Sequence, residues 1–169
     1  MRVATLMMAP VRGGKLEGLD TAPATAIKGV EKVITFDDSI FVVGTGYWAA
    51  TKGLQALSPK FSDGGHAGIN TPAIFTAHDA LRAGGEPESE AGDGDVAAAF
   101  TAGGVKPVEA DYRVPYLHHA MMEPFALVAH AKDGKLEVWG GMQDPLSSKL
   151  IAAKAAGLDA DAVTFHPMI

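Results

Sequence analysis

The residues best equipped for chemistry lie in Tyr116-Leu117-His118-His119-Ala120-Met121-Met122-Glu123-Pro124, where two histidines and a carboxylate fall within a few positions. Imidazole and carboxylate groups so close together suggest a metal site. The spacing argues against a metal. Adjacent histidines on an extended chain point to opposite faces, and zinc sites favour histidines one helical turn apart. Taken alone, the cluster reads as a buried polar turn. His66, His78, His130 and His166 stand in unrelated contexts and read as surface or loop histidines. No Gly-x-Ser-x-Gly turn, phosphate-binding loop or complete dinucleotide fingerprint is present; Gly44-Thr45-Gly46 lacks the third glycine. The acidic stretch Glu86–Asp95 lacks the closing glutamate of a calcium loop and reads as a solvated surface segment.

Composition narrows the classes further. With no cysteine, the chain alone offers no thiolate zinc site, cysteine nucleophile, disulfide or iron–sulfur cluster. A net charge of −6, with Lys and Arg scattered, argues against a nucleic-acid partner. No apolar run reaches the ~20 residues that span a bilayer. Arg2–Ala9 reads as a first strand rather than a signal peptide. No location is assigned: the absence of a signal fits a cytoplasmic protein, and an export segment upstream would make it periplasmic. At 169 residues and 47% hydrophobic, the chain can bury a core.

The elements that must position these groups follow from periodicity. Arg2–Ala9, Val30–Phe36 and Ile40–Gly44 are strand-like, Pro23–Ile27 is a short helix, and Tyr47–Leu57 has helical apolar spacing. Residues 61–104 are weaker, with a short helix over Thr76–Leu81 capped by Thr76 and another over Val96–Phe100. Lys106–Val114 alternates as a strand. Phe125–Ala131 and Lys135–Trp139 flank Asp133-Gly134, a strong hairpin signal. Ser147–Ala156 is an amphipathic helix with Leu150, Ile151 and Ala155 inward, ended by Gly157, before the strand Ala162–Phe165. The fold class is α/β (α+β), with one small lobe over residues 1–60, a loop-rich connector over 61–104 and a second mixed lobe over 105–169.

Taken in order, Tyr112-x-x-Pro115, His119-Ala120-x-Met122-Glu123-Pro124, Glu137-Val138-Trp139, Gln143 and Pro145, a helix, Gly157-Leu158 and a strand resemble the large molybdopterin-binding subunit of the xanthine dehydrogenase/aldehyde oxidase family. The isoquinoline 1-oxidoreductase beta-subunit branch is the nearest in pattern. Met8–Lys15, Ile27–Val30, Val42–Gly44 and Trp48–Leu57 resemble that subunit's α/β hammerhead domain. The resemblance covers nearly the whole chain and is weakest over Ser58–Thr101.

The resemblance implies a molybdenum hydroxylase that acts on aldehydes or N-heterocycles, with a molybdopterin cofactor and iron–sulfur clusters on a partner subunit. It implies that Gln143 lies beside the molybdenum, since a neutral amide donates to an anionic centre without adding charge. His119 and Glu123 match a motif read as a polar network near the site, with His119 or a backbone donor as the partner of a buried Glu123. No catalytic or metal-ligating residue is assigned. Met142 stands where the family commonly has threonine or serine, and the glycine-rich loop and catalytic glutamate of the family are not found in this sequence. The expectation is a partial large subunit, inactive and cofactor-free alone. Its expected partners are the remaining C-terminal part of that subunit, the iron–sulfur subunit and a second copy by self-association. The alternative is a non-catalytic α/β interaction module that kept the scaffold and lost the chemistry.

Overall fold

In the computed structural model, residues 1–85 and 92–168 are described, so the Glu86–Ala91 part of the acidic stretch lies outside the described residues. The chain forms two compact units, Met1–Asp111 and Tyr112–Ile169. Both mix helices and sheets, as the α/β (α+β) reading expects.

In the first unit, β1 (Val3–Met8), β4 (Ser39–Gly44) and β3 (Val30–Thr35) form an antiparallel sheet in the order β1-β4-β3. Alternation decides which side chains face inward: Ile40 and Val42 on β4 are fully buried, while Leu6 and Met8 on β1 face outward. Two helices, α1 (Ala22–Thr25) and α2 (Tyr47–Gln55), pack on this unit, whose core is Ala24, Ile40, Val42 and Leu57. Two strands too short for sequence periodicity to show, β2 (Leu16–Gly18) and β5 (Lys60–Phe61), pair as a ribbon that brings Leu16 and Phe61 onto that core. The approach of α2 to the sheet is close at Gly53. A Cβ there would lie 2.8 Å from methyls of both Val30 and Val42.

Helix α3 (Thr71–Gly84) is longer than the expected Thr76–Leu81. Its cap is Asn70, whose side chain accepts from the Ala73 amide, with proline in the first turn. Thr76 lies inside the helix, its hydroxyl donating to the Pro72 carbonyl. Helix α4 (Val96–Thr101) is capped by Asp95. The strand expected over Lys106–Val114 is absent. Its alternation is real, but a strand needs a ladder partner for its backbone groups, and none pairs with it among the described residues. Arg82 on α3 instead forms an ion pair with Asp111, and both side chains remain exposed.

The second unit is a β-β-α-β arrangement. Strands β6 (Leu127–Lys132) and β7 (Lys135–Gly140) form a hairpin. Its turn residues Asp133 (φ 50°) and Gly134 (φ 74°) are both left-handed, as a two-residue turn of matching twist requires. Helix α5 (Pro145–Ala156) crosses back so that β8 (Val163–Pro167) lies parallel to β7. Gly157 (φ 65°) ends α5, and the Leu158 amide donates to Ala153 O.

The core of this unit is Leu136, Val138, Ala153 and Val163. The expected inward face of α5 is wrong: Leu150, Ile151 and Ala155 are exposed, and Ala153 with Ala152 faces the sheet. Alanines allow the helix a close approach to the sheet, and the larger side chains are left outside.

Gly53→Val is expected to lower stability by about 1–3 kcal/mol through overpacking against Val30 and Val42, read as a lower urea midpoint by circular dichroism. An unchanged midpoint would show that α2 does not sit this close to the sheet.

Candidate functional site

Parallel pairing of β7 with β8 puts the carboxyl ends of both strands side by side, at Gly140 opposite Pro167. The Met168 amide donates to Gly140 O at 3.0 Å and prolongs that contact beyond the ladder. In α/β sheets, ligands bind outside the carboxyl ends of parallel strands. Here that position is occupied by the loop Gly141-Met142-Gln143, which runs into the first turn of α5.

Gly140, the last residue of β7, is held closely, and Gly141 in the loop lies at ordinary contact distance from its neighbours. At Gly140 an added Cβ would fall 2.1 Å from Leu127 Cδ2 and 3.0 Å from Ala126 O. At Gly141 it would fall 3.4 Å from Glu123 Oε1 and 3.7 Å from Met168 O. Glu123 is thus brought to the loop that carries Gln143. Its carboxylate is exposed, which removes the burial cost that would have demanded a partner, and it forms no hydrogen bond with His119 among the described residues. Gln143 is also exposed.

The adjacent histidines differ in role. His118 Nδ1 accepts from the Ala120 amide at 2.9 Å and closes a tight turn in which Ala120 has φ 48°, a left-handed conformation that a β-carbon disfavours. His119 has no hydrogen bond among the described residues and is exposed.

Asp144 follows Gln143 and caps α5, its side chain accepting from the Ser147 amide at 3.0 Å. Hydrogen bonds from the Ser147 side chain and amide favour the ionised form and hold the Asp144 carboxyl below the ordinary carboxylate range. The sign follows: the contribution of this cap is present above the ordinary range and is lost as pH falls through the lowered value.

Sequence reasoning missed one cluster. On the outer face of the second sheet, His166 Nε2 lies 3.4 Å from Glu137 Oε1, and His130 Nδ1 lies 4.0 Å from Glu137 Oε2. The His166 ring stacks on Trp139 with centroids 4.8 Å apart. Counting outward from Asp133-Gly134 would have paired His130 with Glu137, whereas His166 depends on the register of β8. A groove of about 440 Å³ lined by His130, Lys132, Lys135, Glu137 and Thr164 lies at the turn end of this sheet, the opposite end from Gln143. Among the described residues, no three His, Cys, Asp or Glu side chains are arranged to hold a metal ion.

The fold and the loop together define an α/β scaffold that presents a neutral amide at the carboxyl end of a parallel strand pair. The profile of the molybdopterin cofactor-binding domain matches residues 80–168, and the chain belongs to that family. This accords with the resemblance of its motifs to the large subunits of the xanthine dehydrogenase/aldehyde oxidase family. A copper- and molybdenum-containing carbon monoxide dehydrogenase in its carbon monoxide-reduced state is similar in structure, with a TM-score of 0.67 at 18% identity over 100% of this chain and 28% of that one. Quinoline 2-oxidoreductase from Pseudomonas putida 86 gives 0.65 at 14% over 99% of this chain and 27% of that one. Reconstituted carbon monoxide dehydrogenase from Oligotropha carboxidovorans gives 0.56 at 13% over the same shares. The chain therefore spans between a quarter and a third of the length of these relatives. No curated protein matches it.

An NMR titration of the Ser147 amide is expected to follow Asp144 with a midpoint below the ordinary carboxylate range, and to be flat through that range in Asp144→Asn. A midpoint at or above the ordinary value would contradict the cap.

Proposed function

We propose that this chain supplies one wall of a molybdopterin site in a molybdenum hydroxylase that acts on aldehydes or N-heterocycles, and that other polypeptide completes the site. The observation that carries this reading is the position of Gln143, at the carboxyl end of the β7–β8 pair beside the start of α5.

The donor chemistry fits in kind and falls short in number. A neutral amide can donate to an anionic centre without adding charge to it. One exposed amide, with a carboxylate near its loop, does not make the preorganised shell that such chemistry requires. The cofactor, when bound, supplies the redox chemistry of hydroxylation. The role of this chain is to hold an amide in place through Gly140, Gly141, Met168 and the first turn of α5. Glu123 lies near the loop at Gly141, and its motif assigns His119 to the same polar surroundings.

The apolar surface of the second unit supports an incomplete site. Phe125, Leu127, Leu146, Leu150, Ile151 and Met168 are all more than half exposed, an arrangement more typical of an interface than of a free surface. The remaining C-terminal part of a large molybdopterin subunit is the proposed cover, and an iron–sulfur subunit the proposed route for electrons. Residues 1–60, within the first unit, are read as the hammerhead lobe of that subunit, and the isoquinoline 1-oxidoreductase branch as its nearest relatives. In this reading the chain alone neither retains the cofactor nor turns over.

In the assembled enzyme, Gln143→Ala is expected to lower molybdenum occupancy or hydroxylation by roughly 10–100-fold, as loss of a group that hydrogen-bonds a metal's ligands does. Metal content by mass spectrometry and turnover of an N-heterocycle are the readouts. Wild-type values for both would remove Gln143 from the site, and stoichiometric molybdenum on the isolated chain would overturn the shared-site reading.

A further inference from the structure

We infer that β1 is an interaction edge that pairs antiparallel with β1 of a second copy of this chain, an inference independent of the cofactor reading. Strand β1 is an edge of its sheet and is hydrogen-bonded in the ladder only to β4. Proteins protect exposed edges with charge, proline, bulges or shortness. The other edges among the described residues carry such devices. Strand β3 has Glu31, Lys32 and an irregularity between Val30 and Lys32, while β6 has His130 and Lys132. Strand β8 has Pro167, and β2 and β5 are only three and two residues long.

None of these is present in β1. Its sequence VATLMM is six residues long, uncharged and free of proline, and its pairing with β4 runs without a register shift. Its outward side chains are Ala4, Leu6 and Met8; Leu6 is 47% and Met8 60% exposed. They continue across β4 as Phe41 and Val43, so the outward face is apolar up to the free edge.

The occupant follows from complementarity. A charged strand laid along this edge would find no opposite charge on β1 to pair with, whereas β1 itself is neutral, of equal length and of the same alternation. A two-fold axis through Leu6 sets Leu6 opposite Leu6 and Ala4 opposite Met8. It keeps the outward faces of both copies on one side and joins two three-stranded sheets into one of six strands.

The test is light scattering of the full chain over a concentration series, with two variants. Wild type is expected to be dimeric at high concentration. Leu6→Lys sets two like charges directly opposite at the axis and is expected to be monomeric throughout. Phe36→Lys changes the same apolar face at the far edge, where Phe36 is 58% exposed, and is expected to remain dimeric, because association there is through the edge and not the face. Hydrogen exchange of the wild-type β1 amides serves if Leu6→Lys does not fold: their protection is expected to rise with concentration. A wild-type monomer at every concentration, a dimeric Leu6→Lys, a monomeric Phe36→Lys, or β1 protection independent of concentration would each overturn the inference.

Discussion

Two strands that run in the same direction cannot be joined by a tight turn, so the chain leaving β7 at Gly140 has to travel the length of the sheet before it can re-enter as β8. Helix α5 makes that journey, and the rest of the second unit follows from it. The helix packs through Ala152 and Ala153 onto Leu136, Val138 and Val163. Its start is fixed next to the end of β7, so the loop that carries Gln143 is short and held at both ends. Gly140 is then closely packed, because a Cβ there would meet Leu127 and the Ala126 carbonyl, whereas at Gly141 it would make only ordinary contact with Glu123.

The same packing explains the exposed apolar surface. A helix that approaches its sheet through alanines buries little on that side, and Leu146, Leu150 and Ile151 are left facing outward. Each of the two units has a small core of its own, four buried residues with a rim of partly buried ones. Cores of this size are marginal, and apolar surface left uncovered is the usual mark of polypeptide that stabilises by association.

Much of this architecture was legible because it is local. Asp133-Gly134 determined both the hairpin and its register, Gly157 determined the end of α5, and the runs Val30–Phe36 and Ile40–Gly44 indicated an edge strand and the central strand of the first sheet. The failures have physical causes. The alternation of Lys106–Val114 cannot report that a partner strand is missing, and the apolar spacing of α5 cannot report which stripe meets the sheet when alanines compete with leucines. Strands β2 and β5 are too short for any period. At the site, the motif order pointed to Gln143, but only the fold shows that Glu123 reaches the same loop while His118, not its neighbour, closes the turn at Ala120.

The account stands or falls on where the side chain of Gln143 lies when the cofactor is present. A structure of the chain assembled with the polypeptide that completes the site measures this directly. The account predicts the Gln143 amide within hydrogen-bond reach of the molybdenum centre, with Leu146, Leu150 and Ile151 covered by other polypeptide. A cofactor bound elsewhere, with Gln143 and those side chains still in solvent, would contradict it.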